Sequence, residues 1–263
     1  AIKSVKKNSR RSPLAAAAVI LAGLLVSGGG YAAATAAVAT ETAPAYSAAQ
    51  VDAGKKLFLS NCASCHGKNA EGTKNAPSLI GVGAASVDFQ VGTGRMPGQA
   101  SGPQLQVKPV QFTDEDIASL AAYVSSLAPG PAVPTEEYLG TQGDATRGGE
   151  LFRINCAMCH NAVGAGGALT DGKYAPNLKN TSSKHIYEAM VTGPQNMPVF
   201  SNTNLSLEDK SAIITYLKTV QTNPSVGGYD LGSLGPVAEG LFAWIFMLGL
   251  IVLITIWLGA KSN

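Results

Sequence analysis

The chain has 263 residues, 46% of them hydrophobic, which is enough for one large domain or two small ones. Its formal net charge of +2 is made at the ends: Lys3, Lys6, Lys7, Arg10 and Arg11 crowd the N-terminus and Lys261 nearly closes the chain, while residues 12–260 hold 13 basic against 17 acidic side chains. Without Glu239, which lies in the C-terminal apolar run, the central region holds 13 basic against 16 acidic residues, so the basic stripe that nucleic-acid binding requires is missing.

In chain order, a basic N-terminus over 1–11 is followed by 12–40, a stretch without a charge in which 14–39 is mostly Ala, Leu, Val and Ile. Such a segment suits a signal peptide or a membrane span, and its many alanines would supply a cleavage site. The expectation carried forward is a retained transmembrane helix, with a linker over 41–50. The next signal is a helix from Gly54, with Leu57 and Phe58 apolar, running into Cys62-Ala-Ser-Cys65-His66. Ala76-Pro77-Ser78-Leu79 and Met96-Pro97 follow, and the Gly, Pro and Gln content of 98–111 predicts a surface loop. Thr113 then offers an N-cap and Asp114, Glu115 and Asp116 an acidic first turn, before Ile117, Leu120, Tyr123, Val124 and Leu127 at helical spacing.

After a Pro/Gly linker over 129–143, whose composition suits a semi-rigid spacer, the pattern returns. Residues 147–160 match 53–66 at Gly, Leu, Phe, Asn, Cys, Ala, Cys and His, with an offset of 94 between the cysteine motifs. Ala175-Pro176-Asn177-Leu178 answers the first Ala-Pro-x-Leu, Met197-Pro198 answers Met96-Pro97, and a helix from Ser206 around Tyr216 answers the one around Tyr123. The chain therefore holds one domain twice, over 51–128 and 144–226. No alternating strand pattern is visible, so each copy is expected to be a small all-α domain. A linker over 227–236 leads to 237–260, about 20 apolar residues with Glu239 the only charge, long enough to cross a hydrocarbon core of about 30 Å. Trp244 and Trp257 lie toward its ends as interface anchors, and 261–263 closes the chain. Both basic flanks sit at the chain ends, which predicts two cytoplasmic termini with 41–236 on the outer side of the cell membrane.

The four cysteines fall in two Cys-x-x-Cys-His motifs, Cys62/Cys65/His66 and Cys156/Cys159/His160, and none is left for a disulfide. In this motif each thiol adds to a haem vinyl group and the adjoining imidazole reaches the iron from one face. Zinc would want four N/S ligands in one place, but the repeat gives each pair its own domain and its own histidine. A thioredoxin-like dithiol would need a βαβ surrounding. Two covalent haems c are thus expected, one per domain.

For the opposite face of each iron, five methionines compete. Met158 sits inside an attachment motif and cannot swing round, Met247 is in the C-terminal apolar run, and Met190 follows Ile186 and Tyr187 on a helix, which predicts core packing. Met96 and Met197, each before a proline that holds the loop extended, are the expected axial ligands. His185 is the only histidine outside the motifs and has no counterpart in the first copy, where Asp88 or its neighbours fall. Ligation of the second haem through it is the alternative to reading it as an ordinary surface histidine near a helix start, which is the expectation carried forward.

On these motifs the chain resembles class I cytochrome c twice over, and over nearly its whole length it resembles the dihaem cytochrome c subunit of the actinobacterial cytochrome bc complex, a menaquinol:cytochrome c reductase. The resemblance implies an all-α fold of two tandem class I cytochrome c domains between N- and C-terminal transmembrane helices. It implies that Gly54 with Phe58, and Gly148 with Phe152, pack against the helices of Tyr123 and Tyr216. It further implies that Pro77 and Pro176 accept from the imidazoles of His66 and His160. Its function would be to relay electrons from a Rieske iron–sulfur protein, beside cytochrome b, through both haems to the copper centre of a haem-copper oxidase, with no catalytic residue of its own. The alternatives are an electron-transfer subunit of a cbb-type oxidase or membrane dehydrogenase, which usually has one anchor, and a dihaem peroxidase, which needs an open iron site.

Overall fold

The computed structural model describes residues 13–40, 46–99, 102–222 and 236–260. The predicted basic N-terminus, residues 41–45 of the first linker, 100–101 of the predicted loop, 223–235 and 261–263 lie outside the described residues. The chain divides into two compact units, Ala1–Ala45 and Tyr46–Asn263, and each is described by itself.

The first unit holds α1, Pro13–Thr40, a 28-residue helix that opens on a proline, the residue whose fixed φ and missing N–H suit a first helical position. Within it, Ala16–Tyr31 is apolar.

The second unit begins with α2, Ala48–Asn61, whose N-cap Ser47 accepts from the Gln50 N–H at 3.2 Å. A single turn, α3, Ala63–His66, follows, then α4, Gly83–Gly92, and α5, Asp114–Leu127. The Thr113 expectation is met in full: its hydroxyl accepts from the Asp116 N–H at 3.2 Å, and the Asp116 carboxylate accepts in return from the Thr113 N–H. Apolar residues at i, i+3, i+4 and i+7 of α5 (Ile117, Leu120, Ala121, Val124) meet Phe58 of α2 and Ala84, Val87 and Val91 of α4 in one core. The close approach of α2 to α5 depends on Gly54, because a Cβ there would overlap the Ser119 carbonyl. Phe58 then stacks obliquely on Tyr123, with ring centroids 5.2 Å apart.

The second copy repeats this with α6, Ala145–Asn155, the single turn α7, Ala157–His160, then α8, Ser183–Thr192, and α9, Leu207–Thr222. The Asp144 carboxylate caps α6, accepting from Thr146 N–H at 2.8 Å and Arg147 N–H at 3.2 Å. Gly148 lies against the Ala212 carbonyl as Gly54 lies against Ser119, and Phe152 meets Tyr216 at 5.6 Å. The glycine that faces the Tyr216 ring is the next one, Gly149. Gly54→Ala or Gly148→Ala should therefore cost about 1–3 kcal/mol by overpacking, and lower the thermal midpoint of the affected domain by at least about 4 °C in a calorimetric scan.

Two expectations need correction. The second copy contains a short antiparallel pair, β1 at Gly167–Ala168 and β2 at Tyr174–Ala175, and two-residue strands are too brief to leave an alternating pattern. The segment predicted as a spacer is packed: Ala85 N–H donates to Pro131 C=O at 3.0 Å, and Gly130 lies against Gly83 closely enough that neither could carry a side chain. The loop after Met96 lies at the surface as expected, and its Gln104 carboxamide also pairs with both the N–H and the C=O of Tyr174, at 2.8 and 2.9 Å.

The C-terminal helix comprises α10, Pro236–Ala243, a π-helical turn over Trp244–Leu248 and α11, Gly249–Ala260. Glu239–Ala260 spans 22 residues with none of its length buried, and among the described residues it is the one helix long and apolar enough to cross a membrane.

Candidate haem sites

Each Cys-x-x-Cys-His motif straddles a helix break. In the first copy α2 ends as Cys62 N–H donates to Phe58 C=O at 2.8 Å; α3 then turns the chain so that Cys62, Cys65 and His66 follow one another within a turn and a half. His66 is buried, and its Nδ1–H donates to Pro77 C=O at 2.8 Å. A carbonyl can only accept, so this bond fixes the tautomer and leaves the Nε2 lone pair free for a metal. Gly67, at φ +82°, reverses the chain immediately afterwards. Met96 and Cys62 both pack against the first core.

The second copy is built alike: Cys156 N–H donates to Phe152 C=O at 2.8 Å, His160 is buried, and its Nδ1–H donates to Pro176 C=O at 3.1 Å. Asn161 occupies the left-handed position of Gly67, at φ +64°, which asparagine tolerates better than most side chains. Burial lowers the His160 pKa from its ordinary value, against the pull of the Pro176 bond, so the ring is held neutral as a ligand must be. Burial, then the neighbouring thiol, pushes Cys62 and Cys156 up to about 11. No disulfide joins any of the four cysteines.

Cys156, Cys159, His160 and Met197 line one cleft of about 820 Å³ empty volume, its open mouth included. Leu169, Ala189 and Phe200 make its walls apolar. An imidazole with only Nε2 free, two thiols a turn apart and a thioether in the same apolar slot are donors suited to a covalently held haem. The other methionines fall elsewhere: Met190 is in the second core, Met158 is 93% exposed, and Met247 is exposed on the C-terminal helix.

What the sequence reading missed is that the second cleft is not made by the second copy alone. Phe89, Arg95 and Gln104 of the first copy line it, with the Arg95 guanidinium stacked 4.9 Å above the Phe89 ring. Arg95 immediately precedes Met96. His185, expected at the surface, is instead turned into the junction of the two copies: its ring meets Phe89 edge-on at 6.0 Å and its Nε2 is 3.9 Å from Asp88 Oδ1. Lys184 Nζ lies 2.8 Å from the same oxygen. Nearby Glu188 is fully buried, and burial followed by the Asp88 charge pushes its carboxyl up to about 9, against the pull of Lys184.

Comparison with known proteins bears on both copies. Residues 51–128 match the family model Cytochrome c, and 143–217 match that of Cytochrome C oxidase, cbb3-type, subunit III. Fold and motifs together define a protein of two cytochrome c domains, a class that carries covalently bound haem c. The Cytochrome bc1 complex cytochrome c subunit of Corynebacterium efficiens is 44% identical over 225 residues, which cover 80% of this chain and 76% of that protein. The subunit of the same name from Mycobacterium bovis is 46% identical over 223 residues, 82% of this chain and 80% of its own length. A Cbb3-type cytochrome c oxidase subunit FixP from Azorhizobium caulinodans is 33% identical over 181 residues, 64% of this chain and 58% of that protein. The chain belongs to the family of cytochrome bc1 complex cytochrome c subunits, and its business is electron transport.

Proposed function

We propose that this chain is the dihaem electron-transfer subunit of a membrane-bound quinol:cytochrome c reductase, taking single electrons from a Rieske iron–sulfur protein and delivering them to the copper centre of a haem-copper oxidase. Cys62 and Cys65 would hold one haem covalently and Cys156 and Cys159 the other; His66 with Met96, and His160 with Met197, would supply the side chains that ligate each iron. Bound haem supplies a one-electron ferric/ferrous couple. The chain's own residues do the rest. Pro77 and Pro176 hold each imidazole at a fixed angle, and the thioether side raises the potential relative to a second histidine while leaving no open position for substrate. The observation that carries the reading is the second cleft, where four of these side chains meet and the first domain supplies a wall. With Arg95 in that wall and Met96 next in sequence, the ligand proposed for the first haem lies one residue from the second cleft, which supports a relay between the two domains.

The helix Glu239–Ala260 supports a membrane anchor. With α1 as a second anchor, both termini are cytoplasmic and the domains over 51–128 and 144–226 face outward. Such tethering holds the haems at high effective concentration beside fixed partners, which a freely diffusing carrier lacks. Cytochrome b and lipid are the neighbours of the anchors.

The match of 143–217 to the cbb3-type subunit model favours one second reading, a dihaem subunit of a cbb-type oxidase. Gentle solubilisation followed by isolation of the chain separates the two. Co-isolation of b-type haem and a Rieske protein is the expected result. A chain that comes away with an oxidase binuclear centre but no Rieske protein would overturn the reductase assignment.

A further inference from the structure

Asp88 projects from α4 of the first domain, and His185 and Glu188 project from one face of α8 of the second, three residues apart on the helix. One donor atom from each, a carboxylate oxygen of Asp88 and Glu188 and a ring nitrogen of His185, lie within 4.8 Å of one another, and the Asp88 Oδ1 to His185 Nε2 edge is 3.9 Å. Ligands of a tetrahedral zinc ion at about 2.1 Å stand about 3.4 Å apart. The Asp88–His185 edge therefore has to close by only about 0.5 Å to reach bonding geometry.

The cluster also leaves something unsatisfied. Glu188 is 0% exposed, and neither of its carboxylate oxygens has a hydrogen-bond partner. Buried carboxyl groups are ordinarily paired or coordinate a metal, and among the described residues no donor reaches this one. Gly92 lies directly against the cluster: a Cβ there would come within 3.2 Å of His185 Nε2 and 3.5 Å of Asp88 Oδ1. Lys184 is the competing cation, with Nζ 2.8 and 2.9 Å from the two Asp88 oxygens. Its side chain is 40% exposed and can withdraw into solvent.

We propose that Asp88, His185 and Glu188 form a binding site for one divalent transition-metal ion at the junction of the two cytochrome c domains. One imidazole nitrogen with two carboxylate oxygens suits zinc better than calcium or magnesium, whose sites are built from oxygen. Because the first domain gives one ligand and the second gives two, neither holds the ion alone, and the ion fastens α4 to α8. It does so beside the wall that the first domain lends to the second haem cleft. The site is separate from the haem ligands and stands whether or not the electron path proposed above is correct.

The test uses the full chain, purified in detergent with its haems, stripped with a chelator and titrated with zinc alone, with bound metal measured by elemental analysis and affinity by calorimetry. One zinc per chain is expected. His185→Ala and Glu188→Gln should each weaken binding at least about tenfold, the scale on which even the outer partners of metal ligands matter. Lys184→Ala should strengthen binding, since it removes the ammonium that competes for Asp88; misfolding cannot produce that opposite sign. Unchanged haem absorption in each variant checks integrity. Equal zinc content in the wild type and His185→Ala, or weaker binding in Lys184→Ala, overturns the proposal.

Discussion

Replacing Cys156 and Cys159 together by alanine should leave one covalently attached haem per chain where the native protein carries two, and the same double substitution at Cys62 and Cys65 should give the same count. Each pair of thiols closes a helix and opens the next turn, so it is held a fixed distance from its own buried histidine and can serve one macrocycle only. Intact mass and the reduced pyridine haemochrome spectrum read the number directly. The loss should also be structural. A domain of about 80 residues has a modest core, and a large apolar group seated in its cleft contributes to folding much as a bound ligand does. The depleted domain should melt before its partner. A chain that still carried two covalent haems after either double substitution would refute the attachment scheme.

Met197→His should lower the midpoint potential of one centre on the order of a hundred millivolts, within the span of about 0.8 V over which axial ligands set haem potentials. Met96→His should do the same to the other centre. The thioether stabilises the reduced iron relative to imidazole, so the sign is downward in both cases. In neither variant should peroxidase activity arise, because the added histidine keeps the iron six-coordinate. Spectroscopic redox titration of the isolated chain reads both centres, and electron delivery to an oxidase should slow, since the step onto a lowered centre runs uphill. Potentials unmoved by both substitutions would show that neither methionine is a ligand.

Most of what positions these groups was legible because it is local. Five consecutive residues carry the thiols and the imidazole of each proposed haem site; Thr113 to Asp116 encode a helix start; the spacing of Ile117, Leu120 and Val124 encodes the buried face of α5. Repetition then doubled each signal. The junction between the copies was not legible, because its contacts join residues far apart in the chain and of no special type: Asp88 with Lys184, and Gln104 with Tyr174. His185 illustrates the difficulty. Its place near a helix start gives it an ordinary surface address, and only the packing of α4 on α8 turns its ring inward.

The wall that Phe89, Arg95 and Gln104 lend to the second cleft makes a repeated architecture directional. Two identical units on a string could be shuffled, swapped end for end or produced singly without loss. Here the trailing unit is finished only by the leading one, so a gene that reversed their order, or encoded residues 144–226 by themselves, would yield a cofactor flooded with water on one flank. Any engineering that treats the halves as interchangeable modules has to carry that borrowed flank along with the second one.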